Sequence, residues 1–373
     1  MPKLSALDQP RPLLIFSPFL KGQFATIGFV GSGHTLDLQR PLPYDAIHDL
    51  SGLADTALDG ALAKVFAGYD IMLTAMDFAM AQKAQEAGLQ VCVYDALAWY
   101  WKELPAVAET ASLYICQNFF SVEERLSASA KPIAAPRVVS PLSDSSAPQM
   151  HELNEKVILL NLGGLSNPYW STAGTLAYAR LILEAFLPNG NAQGSGSNIN
   201  VVVAANSAIA KALPEYGVKN LSREEMQAVL ARASFALMTP GLGNIYDAAR
   251  FDIPTIWLPP ANDSQGQQLA LLKDNDMVDA AVDWHDLLEI EAIDYSAEQV
   301  TVLQKLVELV DKSSDESASS AAIKEQLALL FQQHSQALEG CQHSRLVKLA
   351  ERFGSGGAEQ VAELVIDLAA KST

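Results

Sequence analysis

Between residues 239 and 268 the sequence runs Thr239-Pro240-Gly241-Leu242-Gly243-Asn244, then Asp247, Pro260, Asn262, Ser264, Gln265, Gln267 and Gln268. Glycines at 241 and 243 let the backbone turn tightly after the apolar run 235–239. A helix is expected at once, over 245–251. The free N–H groups at such a start bind phosphate without lysine or arginine. Asp247, expected in the first turn of that helix, has a carboxylate suited to a ribose diol. Asn262, Ser264, Gln265, Gln267 and Gln268 open a second helix with neutral donors and acceptors suited to sugar hydroxyls. Each part alone is common: Gly-x-Gly before a helix is as often a plain turn, and a first-turn acid usually only offsets the helix dipole. The order carries the reading: strand, glycine turn, helix with acid, Ile-Pro, strand, proline, glutamine-rich helix start.

Short apolar runs alternating with amphipathic stretches must position these residues, a pattern that predicts an α/β fold of parallel sheets with crossover helices. In the first half the runs are 12–16, 26–30, 71–75, 90–94 and 112–116, with helices over 54–66 and 78–87, the second capped by Asp77. Ser, Ala and Pro dominate 126–150, which reads as a linker with one strand at 137–140. The pattern restarts with strands at 157–161, 200–204, 235–239 and 255–258. Helices are expected at 171–185, 222–232 and 264–273, the second with a Ser222/Glu225 capping box. A Ser/Asp/Ala stretch at 312–321 reads as a loop, and 345–370 as helical with a break at 353–357. The implied domains are 1–140, a linker 141–155, 156–344, and a C-terminal helical segment 345–373 that crosses back to the first domain.

Ligands of open parallel sheets bind beyond the carboxyl ends of the strands. In the second half those positions hold Gly163, Gly164, Leu165, Ser166 and Asn167, then Asn206, besides the segment above. In the first half they hold Gly31-Ser32-Gly33-His34, Asp77, Asp95 and Gln117-Asn118. His34 is a candidate general base because histidine titrates near neutral pH without tuning; a loop histidine that caps or packs is the alternative. Asp95 is the other candidate base, with Trp99-Tyr100-Trp101 just after it, which could stack on an acceptor. Alternatively Asp95 caps the next helix and the aromatics fill a core. His48-Asp49 reads as surface, and Asp274-Asn275-Asp276 as solvated acids rather than a metal site.

Composition narrows the function classes. With 43 acidic and 25 basic residues, a net charge of −18 argues against nucleic acid and against an anionic membrane surface. No apolar run reaches the roughly 18 residues a membrane helix needs, and no secretory signal opens the sequence. Three dispersed cysteines fit reduced thiols in the cytoplasm. No nucleophile elbow, P-loop or HExxH occurs, and the Gly241–Gly243 turn lacks the third glycine of a dinucleotide fingerprint.

The ordered segment resembles the donor-binding region of GT-B-type glycosyltransferases. That resemblance implies two facing Rossmann-like domains, the C-terminal one holding a nucleotide diphosphate sugar, UDP-linked by preference. It implies diphosphate binding at Gly241-Leu242-Gly243-Asn244, ribose binding at Asp247 and donor-sugar binding at Gln267-Gln268. "NLGGLSNP" at 161–168 is similar to the family's loop beneath the donor phosphates, and "FGSGGAEQVAELV" at 353–365 to its closing pattern. Within the class, "VYDALAWYWKELP" at 93–105 and "YICQNF" at 114–119 resemble cytosylglucuronate-synthase-like enzymes of natural-product biosynthesis. The likeness places a small-molecule acceptor on the N-terminal domain, near Trp99, Gln117 and Asn118. It implies no cofactor and no bound metal, the nucleotide-sugar being a co-substrate; a dimer is compatible with it. Epimerases and hydrolases of nucleotide-sugars share the fold, and a non-catalytic homologue binding a nucleotide-sugar or a partner is a third reading.

One departure stands out. Only nine residues separate the runs 12–16 and 26–30, too few for a crossover helix. The N-terminal domain is therefore expected to be atypical at its start, with its first strands forming a hairpin or the first strand displaced.

Overall fold

The computed structural model describes residues 3–7, 16, 18–31, 45–50, 53, 55–143, 156–165, 167–187, 199–314 and 318–371. The chain forms two compact units, Met1–Ser145 with Phe353–Thr373, and Ser146–Arg352.

The first unit holds β1 (Lys3–Leu7), β2 (Thr26–Gly31), β3 (Ala46–Asp49), α1 (Asp55–Phe66), β4 (Ile71–Ala75), α2 (Phe78–Glu86), β5 (Gln90–Asp95), β6 (Leu113–Gln117), α3 (Val122–Ala128) and β7 (Pro136–Val139). Its strands pair in parallel in the order β3-β2-β1-β4-β5-β6-β7. Asp77 caps α2 through the Met80 N–H. Strand order reverses between β1 and β4, the doubly wound arrangement that opens a crevice at that point.

The first strand lies ahead of the apolar run 12–16. It is the segment KLSAL at Lys3–Leu7, which pairs with both β2 and β4. Phe16 and residues 18–20 are helical, and Phe16, Leu20 and Phe24 are buried at a spacing of four, the period of a helix face rather than of a strand. With β1 this early, residues 8–25 separate it from β2, room enough for a parallel crossover. The expected hairpin does not occur; of the two expectations for the start of this unit, the displaced first strand is the one observed.

The second unit holds β8 (Lys156–Asn161), α4 (Thr172–Phe186), β9 (Ile199–Ala204), α5 (Ser207–Ala212), α6 (Arg223–Leu230), β10 (Ala233–Met238), α7 (Leu242–Arg250), β11 (Thr255–Trp257), α8 (Asp263–Asp274), β12 (Ala280–Ala281), α9 (Trp284–Leu287), α10 (Gln299–Ser314), α11 (Ala318–Leu338) and α12 (Val347–Phe353). Its parallel strands run β12-β11-β10-β8-β9, so the order reverses between β8 and β10. Side chains of β8 and β10 such as Leu159, Leu160, Ala236 and Leu237 are fully buried, as strands covered by helices on both faces require. The Ser222/Glu225 capping box forms as expected. The stretch 312–321 is not wholly loop. Helix α10 continues to Ser314, whose neighbour Ser313 bonds its own helix at Val310 O, and α11 begins at Ala318. Likewise α3 occupies the start of the expected linker.

Helix α13 (Gly357–Lys371) returns to the first unit, where Ala358, Val361, Ala362 and Val365 join its core. Gly357 makes this possible: its N–H donates to Pro141 O, and a Cβ there would lie 1.8 Å from Ser140 O. Among the described residues no helix is long and apolar enough to cross a membrane.

Candidate functional site

In the second unit the loops after β8 and β10 meet at the point where strand order reverses. Asn161, the last residue of β8, accepts the Gly163 N–H through Oδ1 at 2.9 Å and donates through Nδ2 to Asn244 Oδ1 at 2.9 Å. Asn244 Nδ2 in turn reaches Thr239 O at 2.9 Å, and the Thr239 hydroxyl donates to Gly163 O. Gln265 Nε2 donates to Gly164 O at 2.9 Å. Trans peptides point their N–H opposite to their C=O. With the carbonyls of Gly163 and Gly164 held from one side, the N–H groups of Gly164 and Leu165 face the other, and neither has a partner among the described residues. Gly164 adopts φ +77, the left-handed region that glycine tolerates and that builds a nest of N–H groups.

Helix α7 starts beside this nest, and its start is open. Asp77, Ser171, Asn206, Ser222, Asn262 and Asp283 cap their helices through side chains. The cap position of α7 is Gly241, which has no side chain to offer. The N–H groups of Leu242, Gly243 and Asn244 therefore lie uncapped at the positive end of a helix dipole. A Cβ at Gly241 or Gly243 would meet nothing within 4 Å. The two sets of backbone donors lie on adjacent loops tied together through Gly163 O, and each is of a kind that binds a phosphate group.

The structure changes the roles of several expected ligand residues. Asp247 is not in the first turn of its helix, because α7 begins at Leu242; it lies one turn further in and is half-buried. Asn167 is buried: its Nδ2 donates to Ala261 O and Leu303 O, and its Oδ1 accepts the Tyr169 N–H. Gln265 Oε1 accepts the Ala261 N–H at 2.9 Å. Asn262 caps α8 and Asn206 caps α5, while Gln267 Nε2 donates to Tyr295 O. These amides hold loops in place instead of projecting free groups. Pro240 is buried, and Pro260 offers its carbonyl to Trp284 Nε1 at 2.8 Å. Tyr178 donates to Pro259 O at 2.5 Å; its burial pushes the phenol far above its ordinary range. The loop after β11 is thereby pinned at three successive carbonyls. Ser166 and His34 lie outside the described residues.

Gln268 differs from its neighbours. It is 3% exposed, yet its Oε1 has no hydrogen-bond partner. It lies one turn below Gln265 on the same face of α8, the face that reaches Gly164. Changing Gln268 to Met should remove an unpaired buried acceptor, whose penalty is about 1–3 kcal/mol. The variant is expected to melt at or above the native temperature yet bind its ligand about tenfold more weakly. Thermal melts and titrations on one preparation check both halves.

In the first unit Asp95 ends β5 with no exposed surface. Its Oδ1 accepts the Leu97 N–H at 2.7 Å; its Oδ2 accepts Trp101 Nε1 at 2.9 Å and the Tyr114 hydroxyl at 2.5 Å. Burial raises its pKa, opposed by the bonds from Tyr114, Leu97 and Trp101. This is a carboxylate that staples a turn, the alternative to a base facing an acceptor. Trp99 is 3% exposed and packs edge-on against Phe119, as a core residue does. Gln117 is 4% exposed and accepts the Tyr94 hydroxyl at 2.6 Å; Asn118 bonds Val139 O through its N–H. Asp95→Ala would strand the buried Tyr114 hydroxyl and the part-buried donors of Leu97 and Trp101. Denaturant unfolding should show a loss of about 1–3 kcal/mol, the penalty of one unpaired buried donor, recovered in part by Asp95→Asn.

Sequence reasoning missed Met76. It comes just after β4 at the point where the first sheet's strand order reverses, and it holds φ 65. Such backbone in a non-glycine residue is costly and clusters at functional sites. Nothing in the residue type announces it. Among the described residues no three His, Cys, Asp or Glu side chains form a group that could hold a metal ion.

No protein-family model matches the chain, and no curated protein is similar to it in sequence. Among solved structures it is similar to UDP-GlcNAc 2-epimerase from Neisseria meningitidis bound to UDP-GlcNAc, with 11% identity over 100% of each chain and a TM-score of 0.54. It is also similar to UGT89C1 of Arabidopsis thaliana complexed with UDP, with 11% identity over 99% of each chain and a TM-score of 0.50. The likeness is one of fold: two Rossmann-like units with parallel sheets, the GT-B architecture.

Proposed function

We propose that the chain is a glycosyltransferase that moves a sugar from a nucleotide diphosphate sugar, UDP-linked by preference, to a small-molecule acceptor. The observation that carries this reading is the uncapped start of α7 at Gly241, set beside the N–H nest of Gly164 and Leu165. Donors fixed in advance where charge develops on a departing diphosphate stabilise that charge without a reorganisation cost at the moment of reaction. They also remove the need for a metal at that position. Asp247 serves the ribose and Gln268 the sugar.

The first unit is assigned the acceptor. With Asp95 committed to its turn, His34 takes the role of general base. The likeness of 93–105 and 114–119 to cytosylglucuronate-synthase-like enzymes makes pyrimidine bases and nucleosides the first acceptors to try. Incubation of each nucleotide-sugar with and without an acceptor panel tests the reading: a new glycoside only in the presence of acceptor supports it. An isomerised or free sugar from donor alone would instead establish an epimerase or hydrolase. His34→Ala is expected to lower kcat by about 10²–10⁴, the usual contribution of a general base, with KM for the donor unchanged.

A further inference from the structure

The charges of the second unit are segregated along its sheet. Beyond the carboxyl ends of its strands the connecting segments 162–171, 205–206, 239–241, 258–262 and 282–283 contain no lysine, arginine or histidine. Lys211, Arg250 and Lys273 lie in the last turns of their helices, at the opposite edge, and Arg180, midway along α4, pairs with Glu215. Arg345 and Lys348 pair with Asp276, just past the C-terminal end of α8. Lys219 is bridged to Ala204 on the outer side of edge strand β9. Three strand positions at about 4.8 Å each separate it from β10. Acids stand at the site edge: Asp263 opens α8, 4% exposed and bonded by Gln299, and Asp283 and Asp286 surround the start of α9, where His285 lies 3.9 Å from the first and 3.5 Å from the second. The whole chain carries −18.

An anion site made of backbone dipoles and a neutral amide, in a negative field, tolerates charge poorly beyond what its N–H groups offset. The helix start supplies only about half an elementary charge. The Gln268 acceptor, buried and unpartnered, asks for a neutral donor such as a hydroxyl. We infer that this site selects a diphosphate esterified at both ends and discriminates against one with a free terminal phosphate. The inference rests on the nucleotide-sugar reading and adds to it the charge class of the ligand. A diester diphosphate carries two negative charges; a free terminal phosphate adds most of another above its second ionisation near about pH 6. The spent nucleoside diphosphate is then the weaker ligand and leaves readily.

The test is paired titration calorimetry of the intact protein with UDP-, dTDP- and GDP-sugars and with UDP, dTDP and GDP, all in EDTA. At pH 7.5 and about 10 mM ionic strength, where charges act over about 30 Å, the sugar nucleotide that binds should bind about fivefold or more tighter than its own diphosphate. The ratio should shrink at 200 mM salt, and again at pH 5.5, where the terminal phosphate is protonated. Tighter binding of the free diphosphate, with a gap that widens at low salt, overturns the inference and leaves the site standing. A preference indifferent to salt and pH arises from sugar contacts and also overturns it. If no nucleotide of either kind binds the folded protein, the nucleotide-sugar reading itself fails and takes the inference with it.

Discussion

Replacing Gly241 with aspartate is expected to abolish nucleotide binding without lowering the melting temperature. Gly241 occupies the cap position of α7 with φ −93 and ψ 150, an extended conformation that aspartate adopts at helix starts. A side chain there would meet nothing within 4 Å. An aspartate cap accepts the N–H groups of the first turn and places a negative charge at the positive end of the dipole. Relative to glycine it stabilises the helix by a few tenths of a kcal/mol. The donors that stabilise the variant are the ones the diphosphate requires, and the carboxylate repels the ligand as well. Two lost charge-assisted hydrogen bonds at about 1.5–3 kcal/mol each predict a loss of affinity of at least about a hundredfold. A Gly241→Ala control keeps the donors free and should retain most of the affinity. Calorimetric titration and thermal melting on the same samples separate the two effects. A Gly241→Asp protein that still binds would show that the start of α7 holds no anion.

The second large effect is on stability and concerns Gly357. Ordinarily alanine in a helix is preferred to glycine by about 1 kcal/mol. Here the sign reverses, because a Cβ would lie 1.8 Å from Ser140 O and 2.8 Å from Pro141 O, both backbone atoms. No rotamer relieves such a contact, so α13 must lift from the segment after β7. That movement disturbs the Gly357 N–H bond to Pro141 O, the Gly356 N–H bond to Ser143 O and the burial of Val361 and Val365. Gly357→Ala is therefore expected to cost about 3 kcal/mol, the upper part of the overpacking range. At that size the melting transition falls by about 6–12 °C. Scanning calorimetry checks it; a melting temperature unchanged or raised would mean that α13 docks otherwise.

Much of the second unit was legible from local pattern. The run 156–161 is apolar enough to be a strand buried on both faces, and Ser222 with Glu225 three residues on is a local signal that needs no tertiary information. The Gly241–Gly243 turn was legible for the same reason. The register of α7 was not, because Leu242 and Gly243 read as turn while the backbone already follows the helix there, and this moved Asp247 back by a turn. The roles of Asn167 and Gln265 were illegible in principle. Their partners Leu303, Ala261 and Gly164 lie on other elements, and an amide side chain looks the same whether it awaits a sugar or holds a carbonyl. In the first unit the eye goes to the apolar run 12–16, while the true strand Lys3–Leu7 carries a lysine and a serine among few residues. Asp95 shows the converse. A strand-end carboxylate invites a catalytic reading until its three donors, one of them on the neighbouring strand β6, are seen to hold it in a turn.

The most direct test of the donor site is titration calorimetry of the native protein with a panel of UDP-, dTDP- and GDP-sugars. Saturable binding of one of them at one site per chain is expected, absent in Gly241→Asp and retained in Gly241→Ala. No binding by any member of the panel, with a protein that melts cooperatively, would contradict the donor site.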